Sequence, residues 1–237
     1  MLKHYLVGAW RNLRRNKLFT VINLVGLSMG IAVFLAISGY VNYHLGYDKF
    51  YPNGDRIFRI NYTEYQAGQA VLQTARTHSR TALLVHEYLP EVEAVARVYN
   101  EKAFIFNEDV RIVDQNMLFA DSSFMKVFPL KLISGAAETA LTPPNSVVIS
   151  ESQAKAYFGD NDPMGKTLYF NEQLPVTVTG VFQDIPANTS LEFDFLISWS
   201  TMWYYGWAGR EGSFNSPGNF TFVRLRDKAT DINALNS

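Results

Sequence analysis

Leu18–Tyr47, LFTVINLVGLSMGIAVFLAISGYVNYHLGY, runs for thirty residues without a Lys, Arg, Asp or Glu. Within it, Phe19–Val41 is apolar enough to span a bilayer, whose hydrocarbon core of roughly 30 Å takes about 20 helical residues. A cleaved signal peptide is the rival reading, since Ala36-Ile37-Ser38 loosely imitates a small-x-small site. Signal-peptide apolar cores run about 7–15 residues, so the length favours an uncleaved anchor. The spacing therefore predicts one N-terminal transmembrane helix over 18–43, preceded by a basic flank and followed by a large polar domain.

The flanks set the orientation. Residues 1–17 hold Lys3, Arg11, Arg14, Arg15 and Lys17 and no acid, leaving 16 of the 21 basic residues against all 22 acidic ones further on. Counting Lys and Arg near the span places the N-terminus in the cytoplasm and residues 44–237 outside it. Before the span, Leu2, Tyr5, Leu6, Ala9, Trp10 and Leu13 recur at three- and four-residue spacing. That pattern predicts an amphipathic helix over 1–17 lying in the interface, with Trp10, Arg11, Arg14, Arg15 and Lys17 at headgroup level. A plain topogenic flank is the alternative.

Inside the span, Gly26 and Gly30 form a G-x-x-x-G, and Ile22, Phe34 and Ser38 continue the row. Glycines at that spacing make a flat strip where another backbone can approach closely. Asn23 adds a polar amide that, within lipid, wants a partner. Asn23, Gly26 and Gly30 are thus the candidate face for packing against other membrane helices.

The absence of cysteine excludes thiolate metal sites and thiol nucleophiles. A net charge of −1, with no basic stretch beyond the flank, speaks against nucleic acid. No cofactor motif is legible. Gly159-Asp160-Asn161-Asp162-Pro163-Met164-Gly165-Lys166-Thr167 imitates a P-loop, but five residues separate its glycines and a helix precedes it. His78 and His86 stand eight apart, which is no usual metal pair. Glu192 and Asp194 are expected on one face of a strand over 192–197, where a solvated face competes with acid–base work. Trp199, Trp203 and Trp207 head an aromatic cluster that reads either as partner contact or as local core.

In the outer domain, alternating or apolar runs predict strands at 56–65, 70–74, 94–99, 103–107, 110–114, 147–150, 167–170, 176–182, 192–197 and 220–226. Helices are expected at 79–88, at 122–127 after an Asp121 cap, and at 151–158 before Gly159. Such irregular interleaving predicts an α+β domain of two lobes.

Several stretches also resemble a known family. Arg11-Asn12-Leu13-Arg14-Arg15-Asn16-Lys17, then Val25-Gly26-Leu27-Ser28-Met29-Gly30, is similar to the start of FtsX/MacB-like ABC transporter permeases. Tyr47-Asp48-Lys49-Phe50 and Asp55-Arg56-Ile57-Phe58-Arg59 resemble the family's next segment, especially in Bacteroidetes-type members. Ser146–Ser150, Tyr157-Phe158-Gly159, Asp162–Lys166, Val178–Phe182 and Asp184-Ile185-Pro186-Ala187-Asn188-Thr189-Ser190 resemble the periplasmic core domain. The resemblance implies a non-catalytic permease subunit of the bacterial inner membrane. It would form a homodimer or heterodimer of permeases and couple a separate cytoplasmic ATPase to movement of a periplasmic domain, for export or mechanical signalling. Members carry further spans, so the chain is expected to be a fragment of a longer protein. Two other classes share the layout: a single-span periplasmic ligand-binding or sensor domain, and a membrane-anchored enzyme. The first would need a cytoplasmic output domain, and the second a polar cluster in a pocket.

Overall fold

The computed structural model describes residues 2–171, 174–205 and 217–227. It divides into two compact units, Met1–Tyr47 and Asp48–Ser237.

The first unit is a pair of helices, α1 (Leu2–Arg15) and α2 (Lys17–Leu45), interrupted at Asn16. Thr20 braces the break, its hydroxyl reaching the carbonyls of Leu13 and Asn16 at 3.0 Å each. No residue of α2 is buried, and the helix is long and apolar enough to cross a membrane.

The second unit opens with a 3₁₀ turn at Gly54–Arg56 and contains eleven strands among the described residues. They are β1 (Ile57–Ile60), β2 (Tyr62–Gln66), β3 (Gln69–Thr74), β4 (Val92–Phe106), β5 (Arg111–Ala120), β6 (Leu132–Ser134), β7 (Ser146–Ser150), β8 (Thr167–Phe170), β9 (Leu174–Phe182), β10 (Phe195–Ser198) and β11 (Phe220–Leu225). Three helices accompany them: α3 (Thr81–Tyr88), α4 (Phe124–Val127) and α5 (Glu151–Phe158). Nine strands form one mixed sheet in the order β1-β11-β4-β5-β10-β7-β9-β6, with β8 bridging β4 and β9. β5–β10 and β7–β9 are parallel pairs, and the other pairs are antiparallel. β2 and β3 make a separate hairpin, turned by Ala67 and Gly68 with φ of 51° and 80°. Positive φ at both central residues is the type I′ turn that matches strand twist.

The core follows the two-residue period of the strands. Met117 and Phe119, Val147 and Ile149, and Phe195 and Ile197 join one apolar cluster with Tyr157 of α5. Their neighbours Leu118, Ala120, Val148 and Leu196 join a second cluster with Phe124, Phe182 and Phe193. The lobes expected from sequence therefore share a single sheet, one main core on each face. A smaller cluster seats Ala82 of α3 on Val92, Val95, Val223 and Leu225.

Strong local signals place α5. The Ser150 hydroxyl accepts from the Gln153 N–H, Glu151 and Lys155 complement the helix dipole, and Gly159 ends the helix at φ 60°. The Gly159–Thr167 segment then leads from helix to strand, the reverse of the P-loop order.

Three local readings are corrected. The strand expected at 192–197 begins only at Phe195, so Glu192 and Asp194 share no strand face. Asp121 does not cap α4 with its side chain, because its carboxylate receives the Arg97 guanidinium instead. The runs 94–99 and 103–107 belong to one fifteen-residue strand, β4.

Candidate functional site

In the helix pair, Asn23, Gly26 and Gly30 are all exposed along α2. A Cβ built at Gly26 or Gly30 meets nothing within 4 Å, so the strip is open to a neighbouring helix. Arg14 lays its guanidinium over the Trp10 ring at 5.5 Å to the centroid. Trp10, Arg14, Lys17 and Asn23 line one groove between α1 and α2, joining residues that sequence reasoning assigned to separate roles. Arg11 and Arg15 are exposed and do not line it.

Trp199 is buried at 8% exposure, with the Arg97 guanidinium 4.5 Å from its ring centroid. That makes it a core residue where an open contact surface was one expectation. The Trp203 side chain and Trp207 lie outside the described residues. His78 is buried edge-on to Tyr62, whereas His86 is exposed, so the two do not converge. Among the described residues no group of three His, Asp or Glu is placed to hold a metal ion.

Two features escaped the sequence reading. The first lies where the second unit begins. Asp48, in the left-handed region at φ 57°, accepts from the Ser190 N–H at 2.8 Å, from the Thr189 hydroxyl at 3.0 Å and from the Ser190 hydroxyl. Its own N–H donates to the Asn188 carbonyl at 3.1 Å. Tyr51, three residues on, is 3% exposed and packs on Phe50 and Phe128; burial raises its phenol well above the usual range. Asp48, Tyr51, Arg59, Ser190 and Phe222 border a cleft of about 400 Å³. Both partners of this clamp lie in motifs that carry the family resemblance, but 142 residues separate Asp48 from Ser190. The resemblance was the signal; the contact itself was not legible.

The second is a buried polar seam. Arg97 and Asp121 pair in bidentate fashion at 2.9 and 2.8 Å, with side chains 8% and 18% exposed. Beside them Thr77, Asn219 and Thr221 interlock, Thr77 to Thr221 at 2.6 Å, and Ser79 donates to Asn219. Asp184 takes the N–H and hydroxyl of Ser152 at the start of α5. Asp194 accepts from Ser150, and burial raises the carboxyl pKa above its usual value.

These arrangements hold a fold together; no nucleophile, base and oxyanion donors converge in them. Comparison with known proteins gives the fold its context. The family model for the MacB-like periplasmic core domain matches residues 20–236. Among solved structures, a domain of a protein assigned as a permease in Porphyromonas gingivalis is 26% identical, with a TM-score of 0.66 over 78% of each chain. The periplasmic region of MacB from Actinobacillus actinomycetemcomitans is 16% identical, with a TM-score of 0.54 over 76% of this chain and 79% of that one. No curated protein matches. With nearly its whole length covered by that model, the chain belongs to the MacB-like periplasmic core domain family of ABC transporter permeases.

Proposed function

We propose that the chain belongs to a permease subunit that links a separate cytoplasmic ATPase to movement of its periplasmic domain, for export or for mechanical signalling. Residues 1–17 form the cytoplasmic basic helix, 18–43 the span and 44–237 the periplasmic domain. The subunit does no chemistry itself, and ATP hydrolysis comes from its partner. The observation that carries this reading is α2, apolar and exposed on every side, with an open Asn23-Gly26-Gly30 strip that suits a neighbouring permease helix.

The chain has no cysteine, so single cysteines report topology cleanly. In intact spheroplasts a membrane-impermeant maleimide should label Glu108→Cys, on the exposed β4–β5 turn, and should reach His4→Cys only after permeabilisation. The reverse pattern overturns the orientation. From detergent-solubilised membranes the chain should bring down an ABC ATPase and a second permease copy. Gly30→Leu, whose bulk holds backbones apart, should lower recovery of the second permease. Unchanged recovery counts against the packing face.

A further inference from the structure

The groove between α1 and α2 combines cationic and apolar side chains. Asn12, Arg14 and Lys17 line it beside Trp10, and Val21, Asn23, Leu24 and Leu27 continue it along α2. The start of α2 bears no acid in its first turn, and the Asn16 side chain does not cap it. The Asn16 amide is spent on Asn12 instead, donating to its Oδ1 at 2.9 Å. Arg14 and Lys17 flank the break at Asn16, and residues 1–47 contain no acid. Trp10, under Arg14, supplies the amphipathic ring that sits at headgroup depth.

We propose that this elbow is a binding site for one anionic phospholipid. Its phosphate sits between Arg14 and Lys17 at the start of α2, and an acyl chain runs along Val21, Leu24 and Leu27. Charge selects the lipid. Residues 1–17 carry five cations and no carboxylate that would receive a headgroup ammonium, so a phosphatidylglycerol-type head is favoured over a zwitterionic one. The assignment deepens the proposed function, since it rests on α2 spanning the bilayer.

The test uses the whole chain, purified in mild detergent and titrated with dioleoyl phosphatidylglycerol or dioleoyl phosphatidylcholine under native mass spectrometry. One phosphatidylglycerol should be retained and phosphatidylcholine should not. Arg14→Gln with Lys17→Gln should weaken retention about thirtyfold, a little over fivefold for each lost contact. Arg11→Gln with Arg15→Gln removes the same charge outside the groove and should cost less than about threefold, because solvent ions screen charges that do not touch the head. Equal losses in the two pairs, or equal retention of the two lipids, overturn the proposal. Displacement by millimolar inorganic phosphate also overturns it, by showing a site for free anions. Alkaline carbonate extraction keeps the two readings apart. A chain that stays in the membrane yet shows no lipid preference refutes the lipid site alone, whereas a chain that washes out refutes the span and the site together.

Discussion

Removing one member of the Arg97–Asp121 pair should cost more than removing both. The guanidinium gives two hydrogen bonds to the carboxylate, the Arg97 N–H gives a third to Asp121 Oδ2 at 2.8 Å, and Trp199 closes the far face of the cation. With side chains 8% and 18% exposed, neither charge regains much water when its partner is lost. Asp121→Asn replaces the carboxylate against the indole-capped guanidinium with a neutral amide that offers one acceptor oxygen. Breaking a buried pair from one side costs about 3–5 kcal/mol, and the lower figure suits a carboxylate that keeps some solvent. In a domain of this size about 1 kcal/mol moves Tm by about 2–4 °C, so Asp121→Asn should lower it by about 6–12 °C. The double variant Arg97→Met with Asp121→Leu abolishes both charges, yet still strands the Arg97 N–H, an orphan donor worth about 1–3 kcal/mol. It should therefore melt above either single variant. Thermal unfolding of the whole chain in detergent, followed by near-ultraviolet circular dichroism and tryptophan emission, measures all three. A drop below about 2 °C for Asp121→Asn, or a double variant whose loss equals the sum of the singles, would refute the buried-charge reasoning.

Two more perturbations have outcomes set by geometry. At Gly135, φ is +92° and an added Cβ would lie 2.5 Å from the Thr179 carbonyl oxygen and 2.9 Å from the Gly180 Cα; at Gly165, φ is +74° with open space. Gly135→Ala should thus cost about 3 kcal/mol and Gly165→Ala only about 1, read as denaturant midpoints, and equal costs would contradict the packing at β9. Asp194 binds its proton more readily in the folded protein than in the unfolded chain, because burial raises its pKa. Its stabilisation is therefore present below the unfolded carboxyl pKa and is lost as pH rises through the folded one. Asp194→Asn should raise Tm at pH 7 and lose that advantage towards pH 3; a difference that does not vary with pH would sink the assignment.

Where the sequence was legible, the signals were local. α5 and β8 have the expected bounds because a Ser cap, a Gly stop and an alternating run each act within a few residues. The run 56–65 was continuous in the pattern, yet β1 and β2 divide it between two sheets at Asn61. β4 broke into two pieces in the sequence pattern because Asn100, Glu101 and Lys102 interrupt its apolar run, yet β5 pairs with all three. The far half of β5 escaped because Met117–Ala120 is buried on both faces and shows no alternation. Short β6 has only three residues, and its partner β9 holds it from far along the chain. At the candidate site, the glycine strip and the basic flank were visible as composition and spacing. The Asp48 clamp and the Arg97–Asp121 pair were not, since each joins residues that only the finished sheet brings together.

In the proposed function, the Asp48 clamp gives a pull from the membrane a route into the periplasmic unit. Next along the chain come Tyr51, buried against Phe50 and Phe128, and, after Gly54–Arg56, β1, a strand of four residues that pairs with β11 and no other strand among the described residues. Asp48 binds Asn188, Thr189 and Ser190, and the chain from there passes the buried Phe193 into β10. β10 has β5 on one side and β7 on the other, and Phe195, Leu196 and Ile197 are buried in the clusters on both faces. The Asp48 carboxylate takes three hydrogen bonds, one from Thr189 and two from Ser190. The left-handed backbone at Asp48, which costs an ordinary residue about 1 kcal/mol or more, persists because those bonds over-determine it. A carboxylate at the first residue of the unit thus ties the entering chain, through residues 188–190, to a strand paired on both sides and buried on both faces.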